Sequence, residues 1–534
     1  MELEDATDRI SQLPEFIIHH ILSYLDSPQQ LVRMSVLSKY WFAVSVSFPA
    51  SGFNIAQFRD VIKPSSTPVN WDKHYRYVRD CFFKYVDDTT SRFCHQNVTV
   101  HTFKLITPNQ DRDPTQVDII DRCLGVYLKE GVKVLVIKVK NMCLECLHEN
   151  RCPESLDFPM YRVPNTLLST SSLTSLKICR CELPSSLMVD VVKFKSLKML
   201  ELEYVPLHDE LIKRLTTSCP LLEKMIFKYC QGVKIFCVYG LENLQEVKIG
   251  FDDGVLEVID IDAPNLWHLS LVAWLGMPSM KVASCKKLTK LSYFGHPSPT
   301  KEVEYPLNLE LSSHSVRTFE LCSDLDLGVI DFCAPNLLLF ILSSYCQKGL
   351  YSMKRGFVPS KARMEFGGFV NSYWFQHLRQ FLDKYIGFKE LKLHIRAHVN
   401  VKEVMAIHSP PYELDHVELY IEGLSVYEAV VDAVFWCCRP LSLTLEANFT
   451  CTNTEEWSHI VKFTHEKLLL QEDEGKTNIR ILIYTSSKVK KHFSDLNSFL
   501  TASPCDLQGE TITFIKEEVV PIKKKRMIKQ SKGL

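Results

Sequence analysis

A phrase of the form Leu-x-x-Leu-x-Leu recurs from Leu173 onward and restricts what this chain can fold into more than any other feature. It reads Leu173-Leu176-Ile178, Leu197-Leu200-Leu202, Leu222-Met225-Phe227 and Leu244-Val247-Ile249. It continues through Leu266-Leu269-Leu271, Leu288-Leu291-Tyr293, Val316-Phe319-Leu321 and Leu337-Phe340-Leu342. All 24 positions are apolar, where a 46% apolar composition would give about 11. Successive starts lie 24, 25, 22, 22, 22, 28 and 21 residues apart. Such a unit supplies a short strand and a return arm but cannot bury its own leucines, so neighbours must stack to make a continuous core. The spacing predicts an α/β solenoid, a horseshoe with parallel strands along its concave face.

Looser units flank the regular ones: Val100-Phe103-Leu105, Val132-Leu135-Ile137, Phe388-Leu391-Leu393 and Leu414-Val417-Leu419. Return helices are expected at "HDELIKRLTTSC", His208 to Cys219 and ending before Pro220, at "DIIDRCLGVYL" from Asp118, and at Tyr373 to Tyr385. Residues between the ladder leucines face the concave side, where solenoids usually hold partners. They make Lys177, Glu201, Glu203, Lys228, Lys248, Ser270, Ser292, Phe294, Glu320 and Ser343 candidate target contacts. Their signs are mixed and they form no aromatic stripe, so they indicate no ligand class.

The first fifty residues have a different period. Leu13-Pro14-Glu15 suits the first turn of a helix, and apolar residues at 17, 18, 21, 22 and 25 fall on one helical face. Asp26-Ser27-Pro28 breaks that helix, and Leu31, Val32, Met34, Val36 and Leu37 lead into Ser38-Lys39-Tyr40-Trp41. A hairpin this small carries more apolar surface than it can bury alone, so the rest of the chain or a partner must cover it.

The string "DRISQLPEFIIHHILSYLDSPQQLVRMSVLSKYW", residues 8 to 41, resembles the plant F-box motif. "CPLLEKMIFKYC" from Cys219, the twin phrases "DIDAPNLWHLSL" and "DFCAPNLLLFIL", and "FWCCRPLSLTLE" resemble plant F-box/leucine-rich-repeat proteins. No FBD-type C-terminal signature is recognisable. The resemblance implies a non-catalytic substrate receptor of an SCF-type ubiquitin ligase. Its F-box would dock on a Skp1-type adaptor, and its repeats would hold a target protein. By matching position, Leu13, Pro14, Ile21, Leu22, Leu25, Val36, Leu37, Ser38, Lys39 and Trp41 would form or support the adaptor surface, with Trp41 as its aromatic anchor. Tyr40, Phe42 and Val44 depart from the family pattern. Two other readings are a repeat scaffold without ligase activity and a small-molecule receptor of the hormone-sensing kind.

The resulting division is an F-box at 1–50, a linker and helical cap at 51–97, repeats at 98–450, a C-terminal cap at 451–512 and a basic tail at 513–534. Pro64 to Pro68 reads as a hinge, and the tail as solvated charge. A net charge of -1, from 62 basic and 63 acidic residues, gives no global attraction to nucleic acid or membranes. The 19 cysteines are scattered, and the N-terminus has no apolar signal segment, so free thiols in the cytosol or nucleus are expected. Cys143, Cys146, His148 and Cys152 are soft ligands close together, but their spacing matches no zinc finger. No phosphate-binding loop, metalloprotease or nucleophile-elbow string occurs. Neither a cofactor nor a catalytic residue is expected.

Overall fold

The computed structural model describes residues 12–22, 34, 37–47, 50–56, 58, 71–93, 100–108, 113–140, 160–188, 194–251, 256–273, 278–282, 284–295, 307–323, 327–344, 361–366, 370–384, 389–395, 399–400, 410–421, 426–446, 454–472, 477–485, 488–502 and 511–518. The chain divides into two compact units, Met1–Trp274 with Pro278–Leu288, and Thr289–Leu534 with Leu275–Met277.

The first unit opens with helices α1 (Glu15–Leu22) and α2 (Lys39–Ser47). A parallel ladder follows: β1 (Ala50–Asn54), β2 (Thr102–Pro108), β3 (Val134–Lys140), β4 (Ser175–Cys179), β5 (Met199–Glu203), β6 (Lys224–Cys230), β8 (Glu246–Phe251) and β10 (His268–Ala273). Each strand pairs with its neighbours in register, so Leu176, Leu200, Met225, Val247 and Leu269 align across five repeats. Between ladder strands the chain returns through helices α3 (Trp71–Phe93), α4 (Pro114–Lys129) and α5 (Asp209–Ser218), or through a second parallel sheet. That sheet consists of β7 (Ile235–Tyr239), β9 (Val258–Asp262) and β11 (Ser279–Lys281).

Local chemistry sets these returns. Pro14, Pro114 and the pair Cys219-Pro220 mark helix ends where a missing N–H or a blocked α conformation costs nothing. Asp113 caps α4 by accepting the Thr115 N–H at 3.0 Å, and the His208 ring caps α5 by accepting the Leu211 N–H at 3.2 Å. Gly232 turns the chain after β6 at φ 87, where a Cβ would collide with the Leu207 carbonyl oxygen. The core lies between ladder and returns. Every one of the 24 ladder positions is at most 3% exposed. Burial on that scale stabilises by about 1.5–3 kcal/mol per large apolar side chain.

The second unit continues the same logic with β12 (Lys290–Gly295), β14 (Thr318–Ser323), β16 (Leu339–Ser344), β17 (Lys361–Phe366), β18 (Glu390–Ile395), β19 (Tyr412–Ile421) and β20 (Cys438–Glu446), all parallel. A separate parallel pair, β13 (Leu307–Ser312) and β15 (Leu327–Cys333), lies on its return side. Helices α6 (Ser372–Lys384) and α7 (Tyr427–Cys437) cover the ladder, and Arg379, 2% exposed, donates from Nη1 to the Trp436 carbonyl at 2.7 Å. Beyond β20 the pattern changes hand. Strands β21 (Thr477–Thr485), β22 (Lys488–Phe493) and β23 (Thr511–Glu518) pair antiparallel, with β23 between β20 and β21. Helices α8 (Thr454–Leu470) and α9 (Leu496–Leu500) accompany them.

Two expected boundaries move, and one repeat strand was not foreseen. Ala50–Asn54, placed ahead of the ladder, is its first described strand, because Phe53 packs among Tyr85, Phe103 and Tyr127. Lys361–Phe366 is a repeat strand whose inward positions are Ala362 and Met364, which break the leucine pattern without breaking its spacing of two. Residues 513–518, grouped with the tail, sit in a strand because Ile512 and Phe514 alternate into the core. The hinge at Pro64 to Pro68, the Cys143 to Cys152 group and the basic run from Lys523 fall outside the described residues. No described helix is long and apolar enough to cross a membrane.

Candidate functional site

In the N-terminal hairpin, α1 starts where the Pro14 carbonyl accepts the Ile17 and Ile18 amides at 2.9 and 3.2 Å. Ser38 starts α2: its hydroxyl accepts the Trp41 N–H at 3.1 Å and its carbonyl accepts the Phe42 N–H at 2.9 Å. Ile18, Leu22, Trp41 and Val44 form one buried cluster, with Leu13 and Met34 packed against it. Trp41 is only 5% exposed and Leu22 1%, which corrects the expectation that Trp41 is a surface anchor. Two helices of eight and nine residues have few side chains to bury, and the indole is the largest of them. Trp41 and Leu22 therefore lie in the core of the hairpin, with Leu13 packed against them.

Among the described residues, the large apolar side chains that this hairpin exposes are Ile21 at 43%, Leu37 at 64%, Tyr40 at 40% and Phe42 at 59%. Pro14, Ser38 and Lys39 are exposed with them. Two of the three departures, Tyr40 and Phe42, thus lie outside and the third, Val44, inside. Leu25 and Val36 lie outside the described residues.

On the strand face of the first unit, the candidate contacts meet as an ion-pair network. Glu201, 5% exposed, accepts from Lys177 Nζ at 2.6 Å and Lys228 Nζ at 3.1 Å. Burial alone would raise its pKa, but the two lysine hydrogen bonds outweigh burial and hold the carboxyl below its ordinary range. Glu246 sits between Lys224 at 2.5 Å and Lys248 at 3.0 Å, and its pKa is lowered by the same balance. Glu203 approaches Lys138 at 3.5 Å. In the second unit, Ser292 Oγ donates to Glu320 at 2.9 Å, Lys290 lies 3.1 Å from the same carboxylate, and Phe294 is half-buried. Ser292 at 1%, Ser270 at 7% and Glu201 are too deep to meet a partner directly; they are corrected to supports of the face. Ser343 is half-buried.

The sequence reading found no aromatic stripe, and the structure has a short one. Arg180, Tyr204 and Tyr229 stand in three successive repeats, each seven residues after that repeat's first leucine. The Arg180 guanidinium lies 4.2 Å from the Tyr204 ring centre, and the Tyr204 and Tyr229 rings stack at 4.8 Å and 15°. The signal in the sequence is that fixed offset, one position beyond the last strand-face candidates, Glu203 and Lys228.

Comparisons with known proteins agree on both parts of the chain. The F-box-like family matches residues 10–48, and the leucine-rich repeats of FBD-associated F-box protein At5g56370 match residues 138–319. The putative F-box/LRR-repeat protein At5g54820 of Arabidopsis thaliana is 28% identical over 233 residues, 44% of this chain and 45% of that protein. F-box/LRR-repeat protein 13 from the same plant is 24% identical over 273 residues, 50% of this chain and 52% of its own length. F-box/LRR-repeat protein 25 is 22% identical over 270 residues, 50% of this chain and 86% of its own length. For the first two, the match spans about half of the relative. With the N-terminal helical hairpin matched by one family and part of the parallel ladder by another, the chain is similar over both parts to plant F-box/leucine-rich-repeat proteins.

Proposed function

We propose that this chain is the substrate-recognition subunit of an SCF-type ubiquitin ligase, holding a Skp1-type adaptor through α1 and α2 and a target protein through the strand face. The observation that carries the reading is the hairpin's exposed quartet, Ile21, Leu37, Tyr40 and Phe42, around a buried Trp41. Four large apolar side chains left in water on so small a unit favour a permanent partner. The chain itself performs no bond chemistry in this mechanism. It raises the effective concentration of target lysines near a charged conjugating enzyme. Eleven cysteines among the described residues are free thiols, which supports a reducing compartment, cytosol or nucleus.

The test is a titration of the purified chain with a Skp1-type adaptor. Leu37→Asp with Phe42→Ser places charge and polarity on the exposed face without touching the buried cluster. Saturable wild-type binding, weakened at least about a hundredfold in that variant, is expected. A well-folded wild-type chain that binds no adaptor would leave a repeat scaffold without ligase activity.

A further inference from the structure

Resting on the receptor reading, we infer that the Arg180–Tyr204–Tyr229 stack and the lysines beside it bind an acidic peptide segment of the target. Three independent observations converge on this place in the first unit. The first is backbone conformation. Arg180, Tyr204 and Tyr229 have φ of 56, 53 and 52, and among the described residues they are the non-glycine residues in the left-handed region. Glycine fits that region without steric cost, yet three repeats in a row carry large side chains there. The ladder bonds survive the turn: the Arg180 and Tyr204 amides donate to the Glu203 and Lys228 carbonyls at 2.9 and 2.8 Å. The conformation therefore serves to aim the side chains, and all three are half-buried in a row.

The second observation is confinement. At the same offset, the preceding repeat has Val139 and the following one Phe251, at 3% and 4% exposure. The stack thus spans three repeats and is bounded by core residues on both sides.

The third is charge. The positions just before the stack are Cys179, Glu203 and Lys228, aligned across β4, β5 and β6. Beside them three lysines, Lys138, Lys177 and Lys228, share two carboxylates, Glu203 and Glu201. The carboxylates' side chains are 7–20% exposed and the lysines' 25–45%, so the acids lie beneath the ammonium groups. With Arg180 the outer layer holds four cations over two deeper anions. A guanidinium stacked on a ring still offers its N–H edge, which suits a carboxylate or phosphate in the ring plane. The interleaved acids argue against a continuous phosphate backbone and for a peptide whose charges are spaced by neutral residues. The anionic groups can come from Asp and Glu or from phosphoserine.

The experiment pans the full chain, bound to its adaptor or alone, against a random dodecapeptide library. One arm uses the library as synthesised, and a second carries phosphoserine at its centre. The enriched pool should be richer in Asp and Glu in the first arm, or dependent on phosphoserine in the second. Its affinity should fall about tenfold in the double variant Tyr204→Gly, Tyr229→Gly, and also on raising salt from about 0.1 M to about 0.5 M. Arg180→Gln, a change on a half-buried side chain, should weaken the same pool if the glycine variant is poorly folded. A neutral or basic pool, failure to enrich any pool, or unchanged binding by the variants overturns the inference, as does displacement by single-stranded poly-U. Adaptor binding is read separately. Its loss beside acidic enrichment defeats the receptor reading alone, and its presence without enrichment defeats this inference alone.

Discussion

Tyr204 holds a backbone conformation that glycine adopts more cheaply, and the exchange offers a direct measure of what the ring contributes. A non-glycine residue in the left-handed region costs roughly 1–2 kcal/mol. Against this stand the cation–π contact from Arg180 and the stack on Tyr229, each about 0.5–1.5 kcal/mol. Tyr204→Gly removes both strain and stacking, so its stability should fall within about 1 kcal/mol of the wild type. Tyr204→Ala removes the stacking but keeps the strain, and should lose about 1–2 kcal/mol. The expected order, glycine above alanine in urea midpoint, reverses what holds at an ordinary strand position. Alanine at or above glycine would mean that the left-handed turn carries no strain. Trp41 is the opposite kind of residue. Its ring fills the hairpin core, so Trp41→Ala should cost about 3–5 kcal/mol there and abolish adaptor binding by unfolding α1 and α2. Leu37→Asp with Phe42→Ser should leave the helical circular dichroism intact, which separates surface from support.

At the scale of elements, the ladder was legible because a period of about 22 residues and alternation by two are both written in leucines. The capped return helix α5 was legible because His208 and Pro220 bound it. The strand Lys361–Phe366 was hidden, since alanine and methionine replace the expected leucines at its inward positions. The turn to antiparallel pairing beyond Glu446 was hidden too, because alternation reads the same in either direction. In the hairpin, apolar periodicity located the helices but could not decide which aromatic, Trp41 or Phe42, faces inward; packing decided that. The antiparallel region has its own electrostatic clamp, Glu472 between Arg439 at 2.6 Å and Lys516 at 2.7 Å. Hydrogen bonding from Arg439, then from Lys516, overcomes burial and holds the Glu472 pKa at about 2. A carboxyl depressed in the fold contributes stability at pH values above its unfolded pKa of about 4.3, and loses it as pH falls toward 2. Lys516 is itself buried, its pKa lowered by desolvation despite that carboxylate. Glu472→Gln should therefore destabilise at pH 7 by about 1–3 kcal/mol. The gap to wild type should narrow as pH drops from 5 to 2 (values of about that order). A gap that stays constant across that range would show that Glu472 acts by packing alone.

At the scale of the molecule, each repeat of the first unit's ladder pairs only with the strands beside it, so its stability should be a sum of repeat terms and nearest-neighbour terms. Leu176 and Leu200 are aligned neighbours on adjacent strands, both 1% exposed, whereas Leu176 and Leu269 belong to β4 and β10, with three strands between them. Any one of these leucines changed to alanine should cost about 2–5 kcal/mol, through lost burial and the cavity left behind. The adjacent pair Leu176→Ala, Leu200→Ala shares one cavity wall, and the second change should cost less than the first by about 0.5–2 kcal/mol. The distant pair Leu176→Ala, Leu269→Ala should add to within about 0.5 kcal/mol. Guanidinium unfolding of the four-member cycle for each pair measures both couplings. Equal coupling in the two pairs would mean that the unit behaves as one core without repeat independence. The same distinction bears on the proposed recognition: if coupling is local, a ligand bound at the three repeats that carry Arg180, Tyr204 and Tyr229 should stiffen those repeats and leave the stability of the N-terminal hairpin unchanged.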